Sequence, residues 1–181
     1  MVDQYISIWK STSASRNGLR ALYRPAQLRV LFIGEAPPAS GKFFYRGDSG
    51  LYRAFRAAFQ LIDPSIADAD FLRVFQASGC YLVDLCGRPV DQLPPASRRT
   101  VCIQGEVALC RSLKTLQPET IVAVLHSIRA NVDRVITCAG WHGRRLDLPY
   151  PGRWKQYREV FIAQLTPLLR SLLSARTHPA N

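Results

Sequence analysis

Acidic residues and lysines are both scarce in this chain. Asp and Glu number 13 against 24 Lys and Arg, four of them lysine and twenty arginine, which leaves a formal charge of +11 and a pI near 10.0. That imbalance favours a polyanionic partner, because basic groups that neutralise phosphates release bound counterions. Arginine also forks onto phosphates and stacks on bases better than lysine does. A surplus of arginine over lysine follows equally from genome composition, so charge alone leaves both readings open. Cysteine is confined to five positions, Cys80, Cys86, Cys102, Cys110 and Cys138, with no CxxC pair. An odd, unclustered set argues against a disulfide framework and predicts reduced thiols in a cytoplasmic protein.

Other absences narrow the field further. No apolar run approaches the length of a membrane span. The first ten residues, MVDQYISIWK, have neither the basic start nor the apolar core of a signal peptide. HExxH, P-loop and GxGxxG patterns are missing, so metal, nucleotide-hydrolase and dinucleotide readings have no anchor. Neither an internal repeat nor a linker divides the 181 residues, which predicts a single domain, 1–181, long enough for a real core. Its 48% apolar content and mean hydropathy of -0.04 describe a globular chain.

What is present centres on residues 28–50, LRVLFIGEAPPASGKFFYRGDSG. Leu28 to Ile33 is a short apolar run ended by Gly34, the pattern of a buried parallel strand. Ligands of open α/β sheets sit just beyond the carboxyl ends of such strands. The loop there carries one carboxylate, Glu35, two prolines, Pro37 and Pro38, and an aromatic trio, Phe43, Phe44 and Tyr45, expected to be exposed at an active-site mouth. An ordinary strand-to-helix connection whose aromatics fill the core fits the same residues.

Residues 1–27 read as a peripheral segment, with Ile6, Ile8 and Trp9 as cover and a short helix over Arg20 to Tyr23 that stops before Pro25. After the loop, Ser49 is a suitable N-cap for a helix that turns Leu51, Phe55, Ala58 and Phe59 inward. A short helix over Asp68 to Ser78 precedes a second strand, Cys80 to Cys86, with Asp84 near its end. A long helix from Ser97 to Gln117 is expected to bury Val101, Val107, Cys110, Leu113 and Leu116. Thr120 to Leu125 gives a third strand ending at His126, and Val135 to Ala139 a fourth. Lys155 to Ser174 closes the chain as a helix, with 175–181 a frayed tail. Strands alternating with helices predict an α/β layered sheet whose parallel strands share one carboxyl rim. Glu35, Tyr45, Asp84 and His126 would gather there; His126 fits a solvated rim histidine better than a catalyst.

These pieces, in this order, resemble the uracil-DNA glycosylase superfamily over roughly residues 28–170. Gly34 to Pro38 is similar to the family's GEAPG motif, and Tyr45 before Gly47 to Gly50 to its aromatic ahead of a G-x-x-G turn. Arg88 and Pro89 follow the second strand as the family's CRP does, Pro118 to Leu125 resembles LKPKVIVALG, and Leu148 to Trp154 stands where the family has HPS. The resemblance implies a three-layer α/β/α sandwich with a four-stranded parallel sheet. It also implies a cofactor-free, monomeric, monofunctional DNA glycosylase acting on uracil or a related base, its partner DNA in single or double strands.

In that reading Glu35 orients water or stabilises the cation, and Tyr45 stacks the flipped base. Asp84 reads the base edge beside Gly34, Ala36 and Pro37. The loop Pro149, Tyr150, Pro151, Gly152 and Arg153 inserts beside the vacated stack, with Arg144, Arg145 and Lys155 clamping the backbone. The chain departs from the pattern twice. Asp84 stands near the family's Asn; an ionised Asp only accepts hydrogen bonds and favours an amino edge, a protonated one also serves uracil, and helix capping or pairing with Arg88 are further roles for it. No histidine occupies the HPS place, which leaves backbone donors, Tyr150 or His142 to meet the departing base. Cys86 and Cys102 are spaced like two ligands of the iron–sulfur cluster of some relatives, but no cysteine precedes Cys80, and no cluster or other metal is expected. Glu35 serves equally as a structural cap of its loop. A non-catalytic DNA-binding relative is the alternative function, and an enzyme on free nucleosides a third.

Overall fold

The computed structural model of the chain describes residues 16–152 and 154–177. The expected cover by Ile6, Ile8 and Trp9, the insertion of Arg153 and the end of the tail fall outside the described residues. Helix α1 (16–22) leads into β1 (Val30–Gly34), α2 (Gly50–Ile62), α3 (Phe71–Ala77) and β2 (Cys80–Asp84). Then come α4 (Pro95–Leu116), β3 (Thr120–Ala123), α5 (Arg129–Ala139), β4 (Arg144–Asp147) and α6 (Lys155–Thr177). The four strands form one parallel sheet in the order β2-β1-β3-β4. Helix α2 packs on α6 and α4 on α5, which gives the expected three-layer α/β/α fold.

The apolar runs behave as their composition dictates. Central strands β1 and β3 are buried at every residue, as parallel strands covered on both faces must be. Over them Phe32, Phe55, Phe75 and Phe161 pack edge-to-face or tilted, with centroids 4.7 Å apart for Phe32–Phe55 and 5.3 Å for Phe55–Phe161. Ser49 caps α2 by accepting from the Tyr52 N–H at 3.0 Å, a contact of the kind worth about 1 kcal/mol.

Three expectations are corrected. Val135 to Ala139 is not a strand: it is the last part of α5, whose Asn131, Val132 and Val135 are spaced to bury one helical face. The fourth strand is the polar RRLD at Arg144–Asp147 on the sheet's edge. Val107 is exposed, because α4 buries Val101, Cys102, Leu109, Cys110 and Leu113 instead. Finally, Cys110 and Cys138 form a disulfide between α4 and α5, their Cα atoms 6.2 Å apart, where reduced thiols were expected. The pairing of the two helices, invisible in the spacing of the cysteines, brings them together.

Candidate functional site

The strand order turns on β1: β2 lies on one side of it and β3 on the other. A crevice beyond the carboxyl ends is expected at such a switch point. A cavity of about 390 Å³ opens there, lined after β1 by Gly34 to Pro38, at the end of β2 by Asp84, and after β3 by Val124 and Leu125. Its size falls in the range of small-molecule sites, roughly 300–1,000 Å³. Backbone bonds continue the sheet past the strand ends: Leu85 N–H donates to Gly34 O and Cys86 N–H to Glu35 O, both at 2.8 Å. The Pro37-Pro38 loop is held to the loop after β2 through Ala39 N–H, 3.2 Å from both oxygens of Asp91.

Glu35 is mostly buried in the cavity wall, and both its oxygens accept from Arg98, Nε at 2.7 Å on Oε1 and Nη2 on Oε2. The Cys102 thiol also approaches Oε1 at 3.8 Å, and Cys86 lies 3.5 Å from Cys102. Burial pushes both thiols above their ordinary values, so they stay protonated. The hydrogen bond to Glu35 raises the Arg98 guanidinium in turn. Among the described residues no group of three or more metal-ligating side chains converges.

Asp84 pairs across the sheet with Gly34, where a Cβ would come within 3.0 Å of its Oδ1. Gly34 therefore makes room for this carboxylate. Arg20 of α1 donates to Oδ2 at 2.5 Å, so the partner is Arg20 and not Arg88, which is exposed. Burial raises the Asp84 carboxyl, and the Arg20 and Arg16 charges oppose that rise. Residues 16–24, expected to be peripheral, thus reach the site.

The aromatic trio is buried rather than exposed. Phe43 and Phe44 form part of the cavity wall. Tyr45, expected to stack a base, lies behind them, 2% exposed, with its ring stacked on Tyr23 at 5.5 Å. Its hydroxyl donates to Leu82 O at 3.0 Å and accepts from Leu82 N–H at 2.7 Å. Burial holds that phenol well above its ordinary value.

Of the insertion loop, Tyr150 lines the cavity, while Pro149, Pro151 and Gly152 do not. His126 is exposed at the rim outside the cavity lining. His142 precedes β4 and so sits at the opposite, amino end of the sheet, out of reach of a group leaving the cavity. Arg145 belongs to β4 and is tied to Asp133 and Asp147, not free to clamp. Lys155 pairs with Glu159 at 3.6 Å. Sequence reasoning missed Arg98, Arg20 and Lys42, which also lines the cavity. One signal for Arg98 was available: a cation in the first turns of α4 opposes the helix dipole and calls for a nearby carboxylate.

Fold and cavity together define an α/β protein with a ligand-sized site at the carboxyl rim of a parallel sheet. No protein-family model matches the chain, and no curated protein matches it either.

Proposed function

We propose that the chain is a monofunctional DNA glycosylase that draws a deaminated or otherwise damaged base, uracil or a relative, into the cavity and hydrolyses its N-glycosidic bond. The observation that carries the reading is that two carboxylates, Glu35 and Asp84, from the ends of neighbouring strands face one cavity of suitable size in a chain of charge +11. Extruding a nucleotide costs a few kcal/mol, and the apolar wall of Phe43, Phe44 and Leu51 offsets this by covering the base. Asp84 accepts from the base edge while Arg20 occupies its other oxygen. As the bond to C1′ lengthens, its electron pair leaves with the base and positive charge grows on the sugar. Glu35, oriented by Arg98, stabilises that charge and directs the attacking water. Lys42 and the Tyr150 phenol, which burial keeps protonated, are the wall's donors toward the departing base.

A base-excision screen tests this. Oligonucleotides carrying uracil, hypoxanthine, xanthine, an oxidised pyrimidine or plain cytosine are incubated with the protein, and abasic sites are cleaved with alkali. Strand breaks are expected with at least one of the altered bases, falling by about 100-fold or more in Glu35→Gln while DNA affinity is kept. Intact strands alongside tight, salt-sensitive binding would overturn the enzyme reading. They would favour the second one, a non-catalytic DNA-binding relative, which has its own support: Glu35 is engaged by Arg98, and no histidine among the described residues lines the cavity.

A further inference from the structure

The loop from Leu148 and the first turns of α6 present large, partly exposed aromatic rings among the described residues. Tyr150 is 46% exposed, Trp154 65% and Tyr157 47%. Their placement is built, not loose. Leu148 N–H bonds Ala123 O at 2.8 Å and anchors the loop to the end of β3. Gly152 follows with φ +53, and a Cβ there would meet the Tyr150 carbonyl oxygen at 3.7 Å and the Tyr157 ring at 3.8 Å, so the Tyr157 side chain packs beside this turn. The Arg158 N–H bonds Trp154 O at 3.3 Å and sets Trp154 at the start of α6. One turn beyond Tyr157 and on the same helical face, Phe161 is buried on Phe55 at 5.3 Å, so that face anchors α6 to the core and emerges at the half-exposed Tyr157.

We propose that Tyr150, Trp154 and Tyr157 form a track for the bases flanking the one in the cavity, and that the polynucleotide bound here is single-stranded DNA. The inference rests on the reading of the cavity as a base site. Tyr150 belongs both to the cavity wall and to this exposed surface, so the two are continuous. Every base has a face that stacks on an aromatic ring, but in a duplex those faces are covered by neighbouring pairs. An uncovered ring track is therefore of use to an unpaired strand. Charge selects the same partner: Arg158 and the Glu159-paired Lys155 lie beside the rings in a chain of charge +11, and phosphates alternate with bases along a strand. An apolar protein partner would gain nothing from those cations.

Binding of an unmodified oligothymidylate of about 12 nucleotides, within the span such surfaces cover, tests the track without requiring turnover. Fluorescence anisotropy at fixed salt compares it with the same strand in a duplex. The single strand is expected to bind roughly tenfold tighter or more, with Trp154→Ala and Tyr157→Ala each weakening it about tenfold, duplex binding unchanged, and Trp154→Phe close to the parent. Both positions are exposed, so the variants fold. Equal affinity for the two forms, or parental single-strand affinity in both alanine variants, would overturn the track. Excision from the same strand carrying one uracil is read separately: loss of the track leaves the glycosylase reading standing, and absence of excision leaves the track standing.

Discussion

At the scale of single residues, the two strand-end carboxylates of the cavity each come with an arginine, Arg98 for Glu35 and Arg20 for Asp84. Both acids are therefore held in fixed orientations, and neither is a freely tumbling base. Tyr45 has a different task. Leu82 lies on β2, at the edge of the sheet among the described residues, and its outward N–H and C=O both meet the Tyr45 hydroxyl instead of a strand. The Tyr45 hydroxyl satisfies both. Tyr45→Phe keeps the ring but strands a buried donor and acceptor, at a cost of about 1–3 kcal/mol. The expected outcome is a lower urea midpoint with excision and binding unchanged; a base-stacking ring would give the converse on Tyr45→Leu alone. The carboxylates were legible in the sequence because a lone acid at the end of an apolar run, after Gly34 for Glu35 and after Val83 for Asp84, is conspicuous. Tyr45's role was not, since which strand lies at the sheet's edge is set by tertiary order and leaves no local mark.

Among the elements, those whose boundaries carry chemistry were legible. Strands β1 to β3 are apolar runs stopped by turns, and α2 begins on Ser49 with a regular buried face. The fourth strand was misplaced for a physical reason. A short edge strand buries little, so β4 is polar and looks like a loop, whereas the β-branched Val135-Ile136-Thr137 looks like a strand but packs as a helix on α4. Helix α4 also contains Gly105, where a Cβ would come within 2.2 Å of Leu85 O. Alanine is the better helix former by about 1 kcal/mol, yet overpacking against backbone costs about 1–3 kcal/mol. Gly105→Ala is therefore expected to destabilise the protein in chemical denaturation. Should it stabilise, α4 does not approach the β2 rim this closely.

Across the whole molecule, the Cys110–Cys138 bond joins α4 to α5 over a sequence separation of 28. Closing a loop of that length removes unfolded-state entropy worth about 3–4 kcal/mol. A reductant is expected to lower the melting temperature of the parent but not of the Cys110→Ser/Cys138→Ser pair, which should already melt at the lower value. The charge of the molecule is distributed in a way that bears on its guest. The cavity wall carries Glu35, Asp84 and Asp91, offset by Arg98 and Lys42 and by Arg20 behind Asp84. Its interior is thus electrically balanced inside a protein of charge +11. Such an arrangement sorts a nucleotide into its two halves: the anionic part is retained at the cationic exterior, and only a flat, uncharged part loses nothing by entering.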